Sequence, residues 1–244
     1  MNIFVWFLAA LVLIWAVYAL VPTVYYKYMR RNSVCSQEKA VMLTFDDGPD
    51  PQYTPVLLDL LADQEVKASF FVLTKQAAAY PEIIRRIYKD GHTLAFHGLD
   101  HQNLWFASPH YMHRNFSIGP KLLPSEFGEF NYYRPPHGNI NFAVLYYIFK
   151  HHLKLQLWTV MAADWRAGQT PHTILSRLRR HVRPGSVICL HDGGQYSGGA
   201  PGAPGQTIAA LAVFIPELRA EGYTFLLPGE VKASVDRGAT CRQS

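Results

Sequence analysis

Charge is scarce in this 244-residue chain. Asp, Glu, Lys and Arg make up 17% of it, against 49% hydrophobic residues. That balance excludes a disordered chain, which stays unfolded because it is polar and highly charged. Cysteine is scarcer still. Three thiols, Cys35, Cys189 and Cys241, are too few for the disulfide frameworks that hold small secreted domains together. Cys189 lies inside an apolar run and reads as an inert buried thiol. No internal repeat is visible, which argues against solenoids and propellers. The length suits one domain of about 200–250 residues better than two, and such a domain buries about 70–75% of its unfolded surface.

The net charge of +5, from 23 basic and 18 acidic residues, comes mostly from one place. Lys27, Arg30 and Arg31 follow an apolar N-terminus, and without them 20 basic residues face 18 acidic ones. No basic stripe with interleaved aromatics is present, so nucleic acid is not an expected partner.

From Ile3 to Tyr26 there is no charge at all. The core of this run, Ile3–Pro22, is long enough as a helix to span a hydrocarbon layer of about 30 Å. Trp6, Trp15, Tyr18, Tyr25 and Tyr26 supply aromatics, some of them suited to the membrane interfaces. The start Met1-Asn2, which carries no charged side chain, and the lack of a clear small-x-small cleavage site before Val24 favour an uncleaved single-span anchor over a signal peptide. The three basic residues after the span would place the following domain in the cytoplasm by the positive-inside rule.

Beyond the anchor, short runs rich in β-branched and aromatic residues recur at Val41–Phe45, Ala68–Leu73, Thr93–Phe96, Leu155–Val160, Ser186–Leu190 and Tyr223–Leu227. Amphipathic stretches at Thr54–Gln64, Pro81–Asp90, Pro171–Val182 and Gln206–Glu221 alternate with them. Pro81 opens one of these and Gly91 follows it, the usual punctuation of a helix. Strands alternating with helices predict an α/β fold with a mainly parallel sheet, and the number of units suits a barrel. Active groups of such barrels gather at the carboxyl ends of the strands.

Polar residues end several of these runs. Val41–Phe45 runs into Asp46-Asp47-Gly48-Pro49, which reads either as a solvated turn or as paired carboxylates held by something positive. Thr93–Phe96 leads to His97 and His101, spaced so that both rings can reach one ion, a pattern that is weak alone among 11 histidines. Arg134-Pro135-Pro136-His137-Gly138 is a rigid turn able to aim a backbone N–H at a substrate oxygen. Asp164-Trp165 and His191-Asp192 close two further runs. Five strand ends bearing Asp, His, Arg, Asp and His in turn point to an enzyme.

With these residues in view, the chain resembles the polysaccharide deacetylases of carbohydrate esterase family 4, the NodB-homology domain, over roughly residues 40–228. Thr44-Phe45-Asp46-Asp47-Gly48-Pro49, His97–His101, Arg134–Gly138, Trp158 to Asp164-Trp165 and Leu190-His191-Asp192 look like the five family motifs, in family order. The resemblance implies a distorted (β/α)7 barrel behind one transmembrane helix. It also implies metal-dependent removal of N-acetyl groups from the amino sugars of a glycan. It assigns Asp47, His97 and His101 as metal ligands, for zinc or else cobalt, nickel or manganese. Asp46 becomes the general base and His191 the general acid, with Arg134 and Asp164 paired to hold Asp46. The backbone of His137, with Trp165 and Leu190, would contact substrate.

Three positions depart from the family pattern. Gly98 stands in place of Ser or Thr between the two histidines, which predicts a looser loop. His137 replaces Tyr, and Met161 replaces an Asp. A second resemblance, of His97-Gly98-Leu99-Asp100-His101 with Trp105 to deformylases of a lipid-linked amino sugar, offers an alternative substrate at the membrane. A membrane-tethered carbohydrate-binding module without turnover is a further alternative, in which Trp105, Trp158 and Trp165 stack on sugars. The expected organisation is an anchor at 1–26, a linker at 27–39, the catalytic domain at 40–228 and a tail at 229–244. The family's cell-wall substrates place the catalytic domain outside the cytoplasm, against the vote of Lys27, Arg30 and Arg31.

Overall fold

The computed structural model describes residues 3–30, 39–195 and 197–230. Arg31, Cys35 and Cys241 lie outside the described residues, as do most of the expected linker and tail.

Eight parallel strands make one sheet: β1 (Ala40–Asp46), β2 (Ser69–Leu73), β3 (Thr93–Gly98), β4 (Tyr132–Tyr133), β5 (Lys154–Leu155), β6 (Val160–Met161), β7 (Val187–His191) and β8 (Thr224–Phe225). Their order is β5-β4-β3-β2-β1-β7-β6, with β8 paired to the start of β1. The two edges, β5 and β6, do not pair with each other, so the barrel is open on that side. The expected parallel (β/α) architecture is therefore present as an incompletely closed barrel.

The helices that accompany the strands include α1 (Ile3–Met29), α2 (Thr54–Asp63), α3 (Thr74–Ala79), α4 (Pro81–Lys89), α5 (Phe142–Lys150), α6 (Pro171–His181) and α7 (Ala203–Ala220). Their starts follow local chemistry. Asp50 Oδ1 accepts the N–H groups of Gln52 and Tyr53 just before α2. Thr170 and Thr173 bond reciprocally at the start of α6, a capping box that satisfies two otherwise orphaned N–H donors.

Strand alternation sorts the two faces. Val41, Leu43 and Phe45 of β1 pack in one buried cluster with Leu57, Leu58 and Leu61 of α2, Ile84 and Ile87 of α4, Leu178 of α6 and Leu211 of α7. The residues between them, Thr44 and Asp46, then face the barrel interior. On β7, Ile188 and Leu190 join the same helix-side cluster, leaving Cys189 and His191 on the inside. Asp46 and His191 are direct partners in the β1–β7 register. A second cluster, around Phe96, Phe116, Tyr133 and Leu157, fills the other half.

Two sequence expectations change. The single strand expected at Leu155–Val160 is two strands, β5 and β6, because the carbonyls of Gln156 and Leu157 turn from any ladder to accept the Arg134 guanidinium, at 2.9 and 3.2 Å. The last helix begins at Ala203 rather than Gln206, with Pro204 in its first turn, where a missing N–H costs nothing.

Helix α1 is long and apolar enough to cross a membrane, a property that a signal sequence shares. Most of it is exposed, but its later turns lie against the barrel: Ala19, Pro22 and Thr23 are buried. Thr23 Oγ1 donates to Ile140 O at 2.7 Å and accepts from Ile140 N at 2.8 Å and from Trp105 Nε1 at 2.9 Å. Trp15 stacks on Phe106 and meets Trp105 edge-on.

Candidate active site

The Asp46-Asp47-Gly48 turn at the carboxyl end of β1 is the floor of the site. Asp46 is 3% exposed and its Oδ1 accepts from Arg134 Nη1 at 2.7 Å. Arg134 is fully buried, and it spends its other donors on Thr44 Oγ1 and the two carbonyls between β5 and β6. A buried guanidinium with this many acceptors is held in one orientation, which in turn fixes Asp46.

Asp47 has φ +76°, the left-handed region, unusual for a residue with a side chain and commonest at functional turns. The tight passage at Gly48 explains the next residue. A Cβ there would lie 2.2 Å from Asp192 Oδ2, an oxygen that also accepts from Thr54 Oγ1 at 2.6 Å. Burial pushes the Asp192 carboxyl up to about 7 despite the Thr54 hydroxyl. Asp192 thus lies under the turn and locks it to α2.

His97 Nδ1 lies 2.7 Å from Arg134 O. A carbonyl only accepts, so Nδ1 carries the proton and Nε2 points at Asp47 Oδ1, 3.2 Å away. His101 Nε2 approaches the same oxygen at 3.3 Å. That oxygen is buried and has no hydrogen-bond donor. With the His97 proton on Nδ1, its Nε2 lone pair faces a carboxylate lone pair, an arrangement that a cation between them relieves. Asp47, His97 and His101 each offer a ligand atom within 4.8 Å of the others. One carboxylate and two imidazoles are a donor set that suits a borderline transition metal, and His97 has the second partner on its far nitrogen that ligating imidazoles usually have. The residues present therefore fit a divalent cation.

The loop between the two histidines is not loose. Gly98 has φ +115°, a conformation that strains any residue with a Cβ, and a Cβ there would also press on Asn115 Oδ1 at 3.1 Å. That Asn115 oxygen instead accepts Leu99 N at 2.7 Å. Asp100 is bound by Lys75 and by the Tyr111 hydroxyl. Bracing comes from outside the loop, in place of the missing hydroxyl at position 98.

His191 closes the far side. Its Nδ1 is 2.9 Å from Asp164 Oδ1, and its backbone N–H donates to Asp164 Oδ2 at 2.8 Å. Thr207 Oγ1 gives Asp164 a further donor at 2.9 Å. Burial opposes charge on the imidazole, but the Asp164 carboxylate against it, with Asp47 and Asp46 beyond, raises its pKa to about 9. Asp46, Cys189 and His191 each place a polar atom within 4.8 Å of the others. Asp46, Asp47, His97, His101, His137 and His191 all line one cavity of about 390 Å³.

Most of the residues picked from sequence thus meet in one place, with two corrections. Arg134 and Asp164 do not pair: Arg134 holds Asp46, and Asp164 holds His191. Leu190 does not face the cavity. It is fully buried on the helix side of β7, because side chains of a strand alternate and its neighbour His191 takes the inner face. Trp165 lies 5.0 Å from the His191 ring, and His137, at φ +58°, packs its ring edge-on at 4.5 Å from His101. Met161 and Trp158 also line the cavity.

Sequence reasoning missed four contributors. Ser197, in a stretch rich in glycine and without periodicity that offered no signal, donates to Asp47 Oδ2 at 2.6 Å. Cys189 Sγ is 3.4 Å from Asp46 Oδ2, and burial beside that carboxylate pushes its thiol pKa well up. Alternation along β7 would have placed it inside. Asn115 lay in a segment without periodicity. Lys27 of α1 donates to His137 O at 3.1 Å.

Comparison with known proteins identifies the family and the fold. The sequence model of the polysaccharide deacetylase family matches residues 33–155. A peptidoglycan-N-acetylglucosamine deacetylase of Bacillus cereus is 32% identical over 200 residues, covering 81% of this chain and 90% of its own. A chitooligosaccharide deacetylase of Azorhizobium caulinodans is 31% identical over 196 residues, covering 78% and 93%. The crystal structure of a peptidoglycan N-acetylglucosamine deacetylase bound to 4-naphthalen-1-yl-N-oxidanyl-benzamide superposes with a TM-score of 0.74 at 31% identity, over 85% of this chain and 94% of that one.

Proposed function

The chain belongs to the polysaccharide deacetylase family, and from that premise we propose that it hydrolyses the N-acetyl group of an N-acetylglucosamine unit in a cell-wall-type glycan. The observation that carries this is the placement of a base, Asp46, and an acid, His191, on paired strands beside the Asp47-His97-His101 group.

Asp47, His97 and His101 would hold the metal ion, most simply zinc. When bound, such an ion polarises the amide carbonyl and makes water a better nucleophile near neutral pH. Asp46, held by Arg134, takes the proton from the attacking water. His191, charged at neutral pH through Asp164, gives a proton to the departing nitrogen. Without it the amine is the poorer leaving group and the adduct reverts. The backbone N–H of His137 is the proposed donor to the developing oxyanion, a role worth about 3–4 kcal/mol. Trp165, packed on His191, and Trp158 supply flat faces for a sugar ring.

The anchor reading extends to location. The catalytic domain faces the cell-wall side, where a peptidoglycan-like glycan is found. Lys27, one of the three charges that argue for the opposite orientation, is engaged by His137 O and by the Trp158 ring, 5.5 Å away. A second reading, deacylation of a lipid-linked amino sugar, is favoured by one observation: the end of the apolar helix itself lines the cavity.

The test is acetate release by the full chain in detergent micelles with added Zn²⁺. An N-acetylglucosamine oligomer should yield acetate, and a chelator should stop it. Release from a lipid-linked amino sugar alone would select the second reading.

A further inference from the structure

We propose that Lys27, delivered by the apolar helix, is a specificity-determining residue of this active site, binding an anionic substituent, phosphate or carboxylate, on the glycan next to the sugar that reacts. The proposal rests on the deacetylase reading and names the substrate class for it.

The three hydrogen bonds of Thr23 fix α1 on the barrel, and Lys27 lies about one turn further along. Its stem is thereby directed over the rim formed by His137 and Trp158. Lys27 lines the same cavity as Asp46, Asp47, His97, His101 and His191.

An ammonium has three N–H donors and no acceptor. One donor of Lys27 goes to His137 O. Among the described residues no carboxylate pairs with it, and its ammonium lies over the ring of Trp158. The carboxylates of the cavity are committed elsewhere: Asp46 to Arg134, and Asp47 to the histidines and Ser197. Lys27 and Arg166 are then the lysine and arginine side chains that line the cavity. A neutral sugar chain would leave that charge unused, whereas an anion would take the remaining donors.

Two sources carry such an anion near an acetylated amino sugar: the carboxylates of a peptidoglycan strand and the phosphate of a lipid-linked sugar. The simpler alternative is structural. Lys27 would only brace the His137 carbonyl, and through it the backbone N–H on the reacting oxygen. That role predicts a fall in kcat shared by every substrate.

The experiment compares the full chain, in micelles with metal supplied, with its Lys27→Gln and Lys27→Arg variants on three substrates. These are a neutral N-acetylglucosamine oligomer, a carboxylate-bearing peptidoglycan fragment and a phosphate-linked lipid amino sugar. Lys27→Gln should lower the selectivity for an anionic substrate over the neutral oligomer about tenfold, through KM rather than kcat. Lys27→Arg should restore most of it, and added salt should erode the wild-type preference as screening grows. Loss confined to the peptidoglycan fragment, or to the phosphate-linked sugar, identifies the source of the anion. Equal losses on all three substrates, a change in kcat alone, or no change would overturn the proposal. Calorimetric binding to the Asp46→Asn chain separates the two claims. If the wild type releases no acetate from any substrate, the deacetylase reading fails, and the role of Lys27 is then judged on whether Lys27→Gln weakens binding of the anionic glycan.

Discussion

Asp164 grips His191 at two points, the ring at 2.9 Å and the backbone N–H at 2.8 Å. The same carboxylate orients the imidazole and keeps it protonated. A histidine raised to about 9 from its ordinary 6.5 remains an acid throughout the neutral range.

The pH profile follows from that pair. A required acid is active below its pKa, so kcat/KM should hold through neutrality and fall as pH rises through about 9. Asp164→Asn removes the largest of the charges that oppose the burial penalty, and the alkaline limb should move down. Rates measured from pH 6 to 10 for both forms check this. The pair also bears on stability: protonated His191 stabilises the fold fully below pH 6.5, and this contribution is lost as pH rises through 9.

Arg134 is the second lever. It is fully buried, and Arg134→Met would leave Asp46 as an uncompensated buried charge and free two carbonyls. Breaking a buried pair in this way costs about 3–5 kcal/mol, so the melting temperature should drop markedly. Thermal unfolding of the Asp46→Asn, Arg134→Met double variant should recover part of the loss, because the unpaired charge is gone.

Asn115 tests the bracing of the histidine loop. It touches no substrate, yet its oxygen holds Leu99 N between the two proposed ligands. Asn115→Ala should weaken metal affinity by about 10–100-fold, the usual effect of losing a group that orients ligands. Competition with a calibrated chelator reads this directly, with secondary structure unchanged by circular dichroism.

The strongest sequence signals were legible because they are local. The apolar run Val41–Phe45 and the amphipathic stretch Thr54–Gln64 placed a strand and a helix within a few residues. The Asp46-Asp47-Gly48 turn, His97, His101, Arg134, Asp164 and His191 stood at strand ends. What sequence missed depends on contacts distant along the chain. Ser197 reaches Asp47 across 150 positions, and Lys27 reaches His137 across 110. The exchange of partners between Arg134 and Asp164 is of the same kind: both were recognised as supporting groups, but Arg134, after β4, reaches Asp46, whereas Asp164, after β6, lies beside β7 and meets its His191. Leu190 was misplaced because a motif names neighbours, while a strand sends neighbours to opposite faces.

The most direct measurement is acetate release from an N-acetylglucosamine oligomer by metal-loaded wild type beside Asp46→Asn. The account predicts turnover by the wild type that a chelator abolishes, and a loss of at least a hundredfold in Asp46→Asn with metal still bound. A chelator-insensitive rate, or wild-type turnover in Asp46→Asn, would contradict it.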